Sequence, residues 1–269
     1  MGNRYPQDTV VNLRMERDGE KTIVKDVYYT APLKTMPPYK TDYGLASVMI
    51  LSTSSGIMSG DRFNINIEIG ENCRSEVTSQ SYEKIHKMEE GHAERVNTIK
   101  VEKGAILNYM PQPTIPFSRS AFENVTNIEL EDESSKLIYH EILSGGRKHY
   151  GELFGYTYFQ NLTNIFVGGK RVFRDNTYFD PEAFNMEGFG MYEGYTHLSN
   201  VVVVNFGNSK ELVKELRELL GNHNQEEITF GVTTTEHNDI VIRMFGYEAN
   251  VLELINTEVV KLIMDKENA

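Results

Sequence analysis

Three segments of the chain repeat one pattern. IEIGENCRSEVT, IKVEKGAILNYM and IELEDESSKLIYHE each end a strand-like run at an acidic or small turn and then begin another. The turns fall near Glu71, Lys103 and Glu133, a period of about 30 residues, within the range of stacked units that bury their faces against their neighbours. Stacked β layers are the predicted outcome. The first repeat is the sharpest: from Asp61 to Ile69, Phe63, Ile65, Ile67 and Ile69 alternate with Arg62, Asn64, Asn66 and Glu68, which is a half-buried strand. Ser54, Ser55, Gly56, Ser59 and Gly60 mark tight turns before it and place Asp61 at the strand start. Gly70, Glu71 and Asn72 then turn the chain into a second strand, Arg74 to Thr78, so the pair reads as a hairpin with the polar exit SQSYEKIH.

The rest of the chain extends this reading. Val10 to Met15 and Ile23 to Tyr29 flank the turn Asp18, Gly19, Glu20 and predict another hairpin. Pro32, Pro37 and Pro38 forbid an ordered helix over Ala31 to Tyr43, leaving an exposed extended arm. Further strands are predicted over Tyr150 to Phe159, Leu162 to Val167, Arg171 to Phe179, Leu198 to Asn205, Ile228 to Thr234 and Ile240 to Phe245. Two segments have helical spacing instead. Ser209 to Leu220 is capped by Ser209 or Asn208 and stopped by Gly221, and Ala249 to Asp265 has an apolar face broader than a surface helix needs, suited to a helical partner. The predicted fold is mainly β, with stacked antiparallel or β-helix-like layers and two helices near the C-terminus, in a single domain over residues 1–269 with no linker.

Charge narrows the function classes. With 27 Lys and Arg against 39 Asp and Glu, the net charge is −12 and no basic cluster offsets it, so no nucleic-acid partner is expected. No apolar run suits a membrane span and no leader is evident, so a cytoplasmic protein is expected. Cys73 is the single cysteine, which excludes an internal disulfide and a CxxC site and points to packing.

Catalytic motifs are mostly absent. His140 and Glu141 begin an HExxH, but residue 144 is Ser and the second zinc ligand is missing. Gly188, Gly190 and Gly194 miss the dinucleotide spacing, and neither GxxxxGK[ST] nor GxSxG occurs. His86 and His92 share the segment HKMEEGH, which reads as a mobile solvated loop without fixed ligand geometry.

The runs GIMSGDRFNINIEIG, VTSQSYEKIH, YMPQPTIPFSRSAF and HEILSGGR followed by GELF, in that order and spacing, closely resemble the urease accessory protein family UreD, called UreH in Helicobacter. The similarity is strongest from Pro32 to Pro181, and SQSYEKIH and GYTH place it nearest the Helicobacter branch. One departure is that many members have a double glycine and TTQ where this chain has Ser54-Ser55-Gly56 and Thr78-Ser79-Gln80.

The resemblance implies a non-enzymatic metallochaperone scaffold that binds the helical accessory protein UreF and the GTPase UreG, as a dimer of heterodimers, and docks on apo-urease during nickel delivery. It further implies that Asp61, Glu141 and Asp175 line a water-filled path for transient Ni²⁺, with no tightly bound cofactor. Carboxylates beside water hold a divalent ion weakly enough to pass it on. Taken without the resemblance, Asp61 caps a turn, Glu141 pairs with Arg147 and Asp175 ends a strand. Lys84 and His86, on the polar exit Ser79 to His92, are expected to face a partner. Two other classes stay open: an interaction module without a metal path, and a glycosidase-type enzyme using these carboxylates as acid and base.

Overall fold

The computed structural model describes residues 8–268, so positions 1–7 and 269 of the expected single domain lie outside the described residues. Strands β1 (Thr9–Asp18) and β2 (Lys21–Tyr29) form the expected hairpin, with Asp18 opposite Lys21. The proline-bearing segment is extended, yet it is not a free arm. Its strands β3 (Leu33–Thr35) and β4 (Tyr39–Lys40) both pair with β5 (Ala46–Ser52).

β6 (Arg62–Ile69) and β7 (Arg74–Ser79) are the two arms of the first repeat, but they do not form a hairpin. β6 pairs with β1, whereas β7 pairs with β5, so the turn at Gly70 to Cys73 is a corner between two sheets. Local spacing cannot distinguish the two outcomes. What selects the corner is that Ile67 and Ile69 of one arm and Val77 of the other then share one core. The coil continues through β8 (Glu83–Ile85), β9 (Ala93–Val101), β10 (Ile106–Met110) and β11 (Thr114–Pro116). It then runs through β12 (Ala121–Leu130) and β13 (Lys136–Ser144). β6, β9 and β12 are parallel, as are β7, β10 and β13, so the repeats stack as coils of a β-helix.

The acidic turns have a structural reason. The backbone N–H of Glu71 donates to the Glu102 carboxylate at 3.1 Å, and that of Lys103 donates to Glu131 at 3.0 Å. Each corner thus satisfies donors of the coil before it. Gly104 sits at φ +67° in the second corner, where a Cβ would lie 2.4 Å from Asn72 Oδ1.

Beyond the coil the strand expected from Tyr150 is interrupted. β14 (Gly146–Arg147) and β15 (Glu152–Leu153) flank a 3₁₀ turn over Lys148–Tyr150, and β16 (Tyr158–Val167) begins only at Tyr158. Gly151, left-handed at φ +70°, ends that turn and breaks the strand. β17 (Lys170–Phe179) and β18 (His197–Val204) follow, then α1 (Ser209–Gly221), β19 (Ile228–Thr234), β20 (Ile240–Gly246) and α2 (Ala249–Glu267). Asn208 is the N-cap of α1.

The result is a seven-stranded sheet, β17-β16-β12-β9-β6-β1-β2, facing an eleven-stranded sheet whose main path is β19-β20-β18-β13-β10-β7-β5-β3. Between them lie Ile67, Ile99, Leu107, Ile128, Leu137 and Val202. Both helices cover the outer face of the larger sheet. There Leu252, Ile255, Val259 and Ile263 of α2 pack with Leu216 of α1 and Ile242 of β20, so the broad apolar face is covered from within. Leu254, 64% exposed, points away from it.

Candidate functional site

Parallel register converts repeated residues into rows across a sheet. On the inner face of the seven-stranded sheet, Ile67, Ile99, Ile128 and Ile165 lie side by side as an apolar row. One step towards the strand starts the row is Ile65, Asn97, Thr126 and Thr163, and the next is Phe63, Arg95, Asn124 and Asn161. The core therefore turns polar at one end. Asn97 Nδ2 donates to Asn124 Oδ1 at 3.1 Å and to Thr126 Oγ1 at 3.0 Å, and Asn124 Nδ2 donates to Asn161 Oδ1 at 2.6 Å.

Glu141 ends this chain of amides. Its carboxylate accepts from Asn161 Nδ2 at 2.7 Å, Asn200 Nδ2 at 2.8 Å and the Tyr139 hydroxyl at 2.9 Å. Burial pushes its carboxyl above the usual range, the three donors pull it back, and Asp175 nearby adds to the rise. Arg147 does not reach it, pairing instead with Glu152 at 2.5 and 2.8 Å.

The polar faces enclose space. A cavity of about 40 Å³ beside Glu141 is lined by Asn97, Thr126, Tyr139, Asn161 and Asn200. A second, of about 200 Å³, is lined by Ser54, Ser55, Gly56 and the Ser79 to Lys84 segment. Both are walled by Arg95, Asn97, Tyr109, Pro111 and Gln112, so the two cavities adjoin across these residues. Asn97 Oδ1 and Asn200 Oδ1 are buried without a hydrogen-bond partner among the described residues, and both residues line the inner cavity. Each can accept from a hydrated guest.

The three carboxylates expected on a path are not placed alike. Asp175 lies inside β17 rather than at its end, opposite Thr163, and its ion pair with Arg243 of β20 joins the two sheets. Thr163, its cross-strand partner, lies 3.4 Å by its hydroxyl from the Tyr139 hydroxyl that donates to Glu141, which puts the two carboxylates at the same end of the molecule. Of the three, only Glu141 lines a cavity, and Asp61 and Asp175 line neither. Asp61 serves the turn before β6. Its Oδ2 accepts from the Met58 backbone N–H at 2.8 Å, and burial raises its carboxyl. It caps the turn before β6.

Lys84 is exposed at the rim of the outer cavity. His86 is half-buried, its ring edge-on to Phe117 at 5.0 Å and its Nε2 3.1 Å from Ser55 O. Gly56 beneath it, at φ +149°, has no room for a side chain, since a Cβ would lie 2.4 Å from Lys84 O. The HKMEEGH segment is pinned, with Met88 buried, its N–H donating to Arg119 O, and Ser59 Oγ donating to Glu90 O at 2.6 Å. Among the described residues no three His, Cys, Asp or Glu side chains gather as a metal group. Cys73 is buried in the core between the sheets, which supports the packing role.

Arg95, Asn97, Asn124, Asn161 and Asn200 escape a reading based on carboxylates and histidines. A signal for two of them exists, because Asn124 to Ile128 and Asn161 to Ile165 both read N-x-T-N-I, with the first Asn and the Thr turned inward.

A family model described as UreD urease accessory protein matches residues 7–267. The chain belongs to the UreD urease accessory protein family. The similarity to a protein named UreD from Acetivibrio thermocellus is 35% identity, covering 95% of this chain and 97% of that protein. To Helicobacter pylori UreH it is 37%, covering 79% and 82%, and to Flavobacterium johnsoniae UreD it is 33%, covering 84% and 81%. In this UreD-family chain, no helix among the described residues is long and apolar enough to cross a membrane.

Proposed function

We propose that the chain serves urease maturation as a scaffold that receives Ni²⁺ from helical and GTPase accessory partners of the UreF and UreG type. It then guides the ion between its two sheets towards docked apo-urease. The observation that carries this reading is Glu141, a half-buried carboxylate whose three hydrogen bonds all come from neutral donors, beside a cavity that shares a wall with a larger one. An isolated carboxylate in a dry core is costly, whereas one beside a wet passage can bind a cation for a short time. Amide and hydroxyl oxygens supply weak neutral ligands on either side, and a set without a cage releases the ion. Glu141 is the station on the cavity wall in this reading, Asp175 flanks it while paired with Arg243, and Asp61 holds the turn at the start of β6.

Glycosidase chemistry fits poorly. It needs a cleft that admits a sugar ring between two carboxylates, and the space beside Glu141 is only about 40 Å³. An interaction module without a path predicts a different outcome for one experiment. Cells expressing Glu141→Ala, alone and with Asp175→Ala, are assayed for the nickel content of purified urease, with complex assembly followed by pull-down. Normal assembly with reduced nickel, lowest in the double variant, supports the passage. Normal assembly with wild-type nickel content leaves the chain an interaction module.

A further inference from the structure

β17 ends at Phe179 and β18 begins at His197. The connection between them, residues 180–196, has no strand or helix, yet it is fixed. Met186 and Tyr192, 3% and 1% exposed, anchor it in a cluster with Leu198, and the Tyr192 ring meets Phe154 at 4.8 Å and Phe245 at 5.4 Å. Hydrogen bonds close its turns. Asp180 Oδ1 accepts from the Glu182 N–H at 3.0 Å, Glu193 Oε1 accepts from the Gly190 N–H at 2.8 Å, and the Tyr192 N–H donates to Met186 O at 3.0 Å. On this fixed loop Phe184 is 49% exposed and Phe189 is 99% exposed, and no other large apolar side chain among the described residues is as exposed as Phe189. A phenyl ring left wholly in water adds no burial to the stability of its own fold.

We propose that this loop is a docking knob whose partner is a protein surface with an apolar socket for Phe189, rimmed by Lys and Arg. The inference rests on the scaffold reading above and adds to it the place where one partner is held. Charge selects the rim. Between Arg174 and Lys210 the chain has no lysine or arginine, and the loop itself carries Asp180, Glu182, Glu187 and Glu193. Glu182 and Glu187 are exposed and have no ion-pair partner among the described residues, so both are free to meet cations across an interface. A second copy of this chain is a poor occupant, because a net charge of −12 opposes bringing two acidic surfaces together. The ring supplies affinity. Inserted in a socket, an aromatic side chain buries about 150–250 Å². Because the loop is already ordered, docking costs little further ordering. The knob also stands where a partner is useful: Leu198 packs with Met186 and Tyr192 and lines the cavity beside Glu141, so a partner held here sits at the Glu141 end of the molecule.

The test titrates the full chain with purified apo-urease, a UreF-type protein and a UreG-type protein, each added to the chain alone and to the chain already carrying the other two. With Phe189→Ala, the affinity for one of the three is expected to fall by about thirtyfold or more, as at an interface hot spot, with the melting temperature of the lone chain unchanged. For that same partner, Glu182→Gln combined with Glu187→Gln slows association and lessens the loss of affinity as salt is raised. Tyr28→Ala removes an exposed ring from β2, at the opposite edge of the seven-stranded sheet from β17, and leaves every affinity unchanged. Wild-type affinity of Phe189→Ala for every partner overturns the knob while leaving the scaffold reading intact. An equal loss in Tyr28→Ala overturns it too, because the surface is then adhesive at large. Unchanged or faster association of the neutralised double variant overturns the cationic rim. Self-association of the wild type that Phe189→Ala abolishes, with partner affinities unchanged, assigns the loop to a second copy and overturns the proposal. A wild-type chain that binds none of the three removes the scaffold reading and the knob together.

Discussion

His140 and His197 are 1% and 7% exposed, and burial pushes their imidazoles down to about 3 and about 4. His140 keeps a neutral ring against Asn108, with Nε2 3.0 Å from Oδ1, while Asn108 Nδ2 donates to the buried Glu76 at 2.8 Å. In the unfolded chain both titrate near 6.5, so below that pH the unfolded state binds more protons than the folded one. Their contribution to stability is complete above pH 6.5. It is lost as pH falls, from both rings down to about 4 and from His140 alone to about 3. Each histidine adds a slope of up to about 1.4 kcal/mol per pH unit. Urea titrations between pH 7 and 5 check this, and a His140→Gln, His197→Gln double variant should flatten the curve. An unchanged slope would place acid sensitivity elsewhere. At this scale the sequence was only partly legible. Glu141 emerged from resemblance to the family, since HEILS alone reads as a failed zinc motif, and its partners Asn161 and Asn200 lie 20 and 59 residues away. Asp61 was correctly placed at a turn by Ser59 and Gly60, and its role there is visible in its bond to Met58.

The corners and the helices are the elements on which the fold's stability can be tested. Gly104→Ala should cost about 1–3 kcal/mol in urea melts, because strain at positive φ adds to the approach on Asn72. Gly169→Ala, at φ +75° with nothing within 4 Å, carries the strain alone and should cost less. Equal losses would mean that the corner contact contributes nothing. On α2, Ile255→Ala should cost about 2–5 kcal/mol in the lone chain, whereas Leu254→Ala, exposed, should change stability by less than about 0.5 kcal/mol. A small loss at Ile255 would mean that α2 packs only when a partner is present. Element types were largely readable because alternation and helical spacing are local. What the sequence left open was which strands pair. The corner after Ile69 and a hairpin turn use the same residues, and only the shared core with Val77 selects between them. The strand expected across Tyr150 failed because Gly151 and the 3₁₀ turn interrupt it.

At the scale of the whole molecule, the 30-residue repeat carried the most information. Stacking in parallel register is what brings Asn97, Asn124 and Asn161 from three coils into one polar wall. A path between the sheets was expected only from the family resemblance, and the walls of the two cavities could not be read beforehand, since they come from residues spread between Leu33 and Asn200. Obstructing that space tests the account without altering any charge. Gln112 lines both cavities, so Gln112→Trp should fill the junction, while Gln112→Ala should leave it open. The decisive measurement is nickel per active site in urease purified from cells expressing each variant, with assembly of the accessory complex verified by pull-down. The account predicts normal assembly for both, with nickel reduced severalfold in Gln112→Trp and unchanged in Gln112→Ala. Wild-type nickel content in urease matured with an assembled Gln112→Trp complex would contradict it.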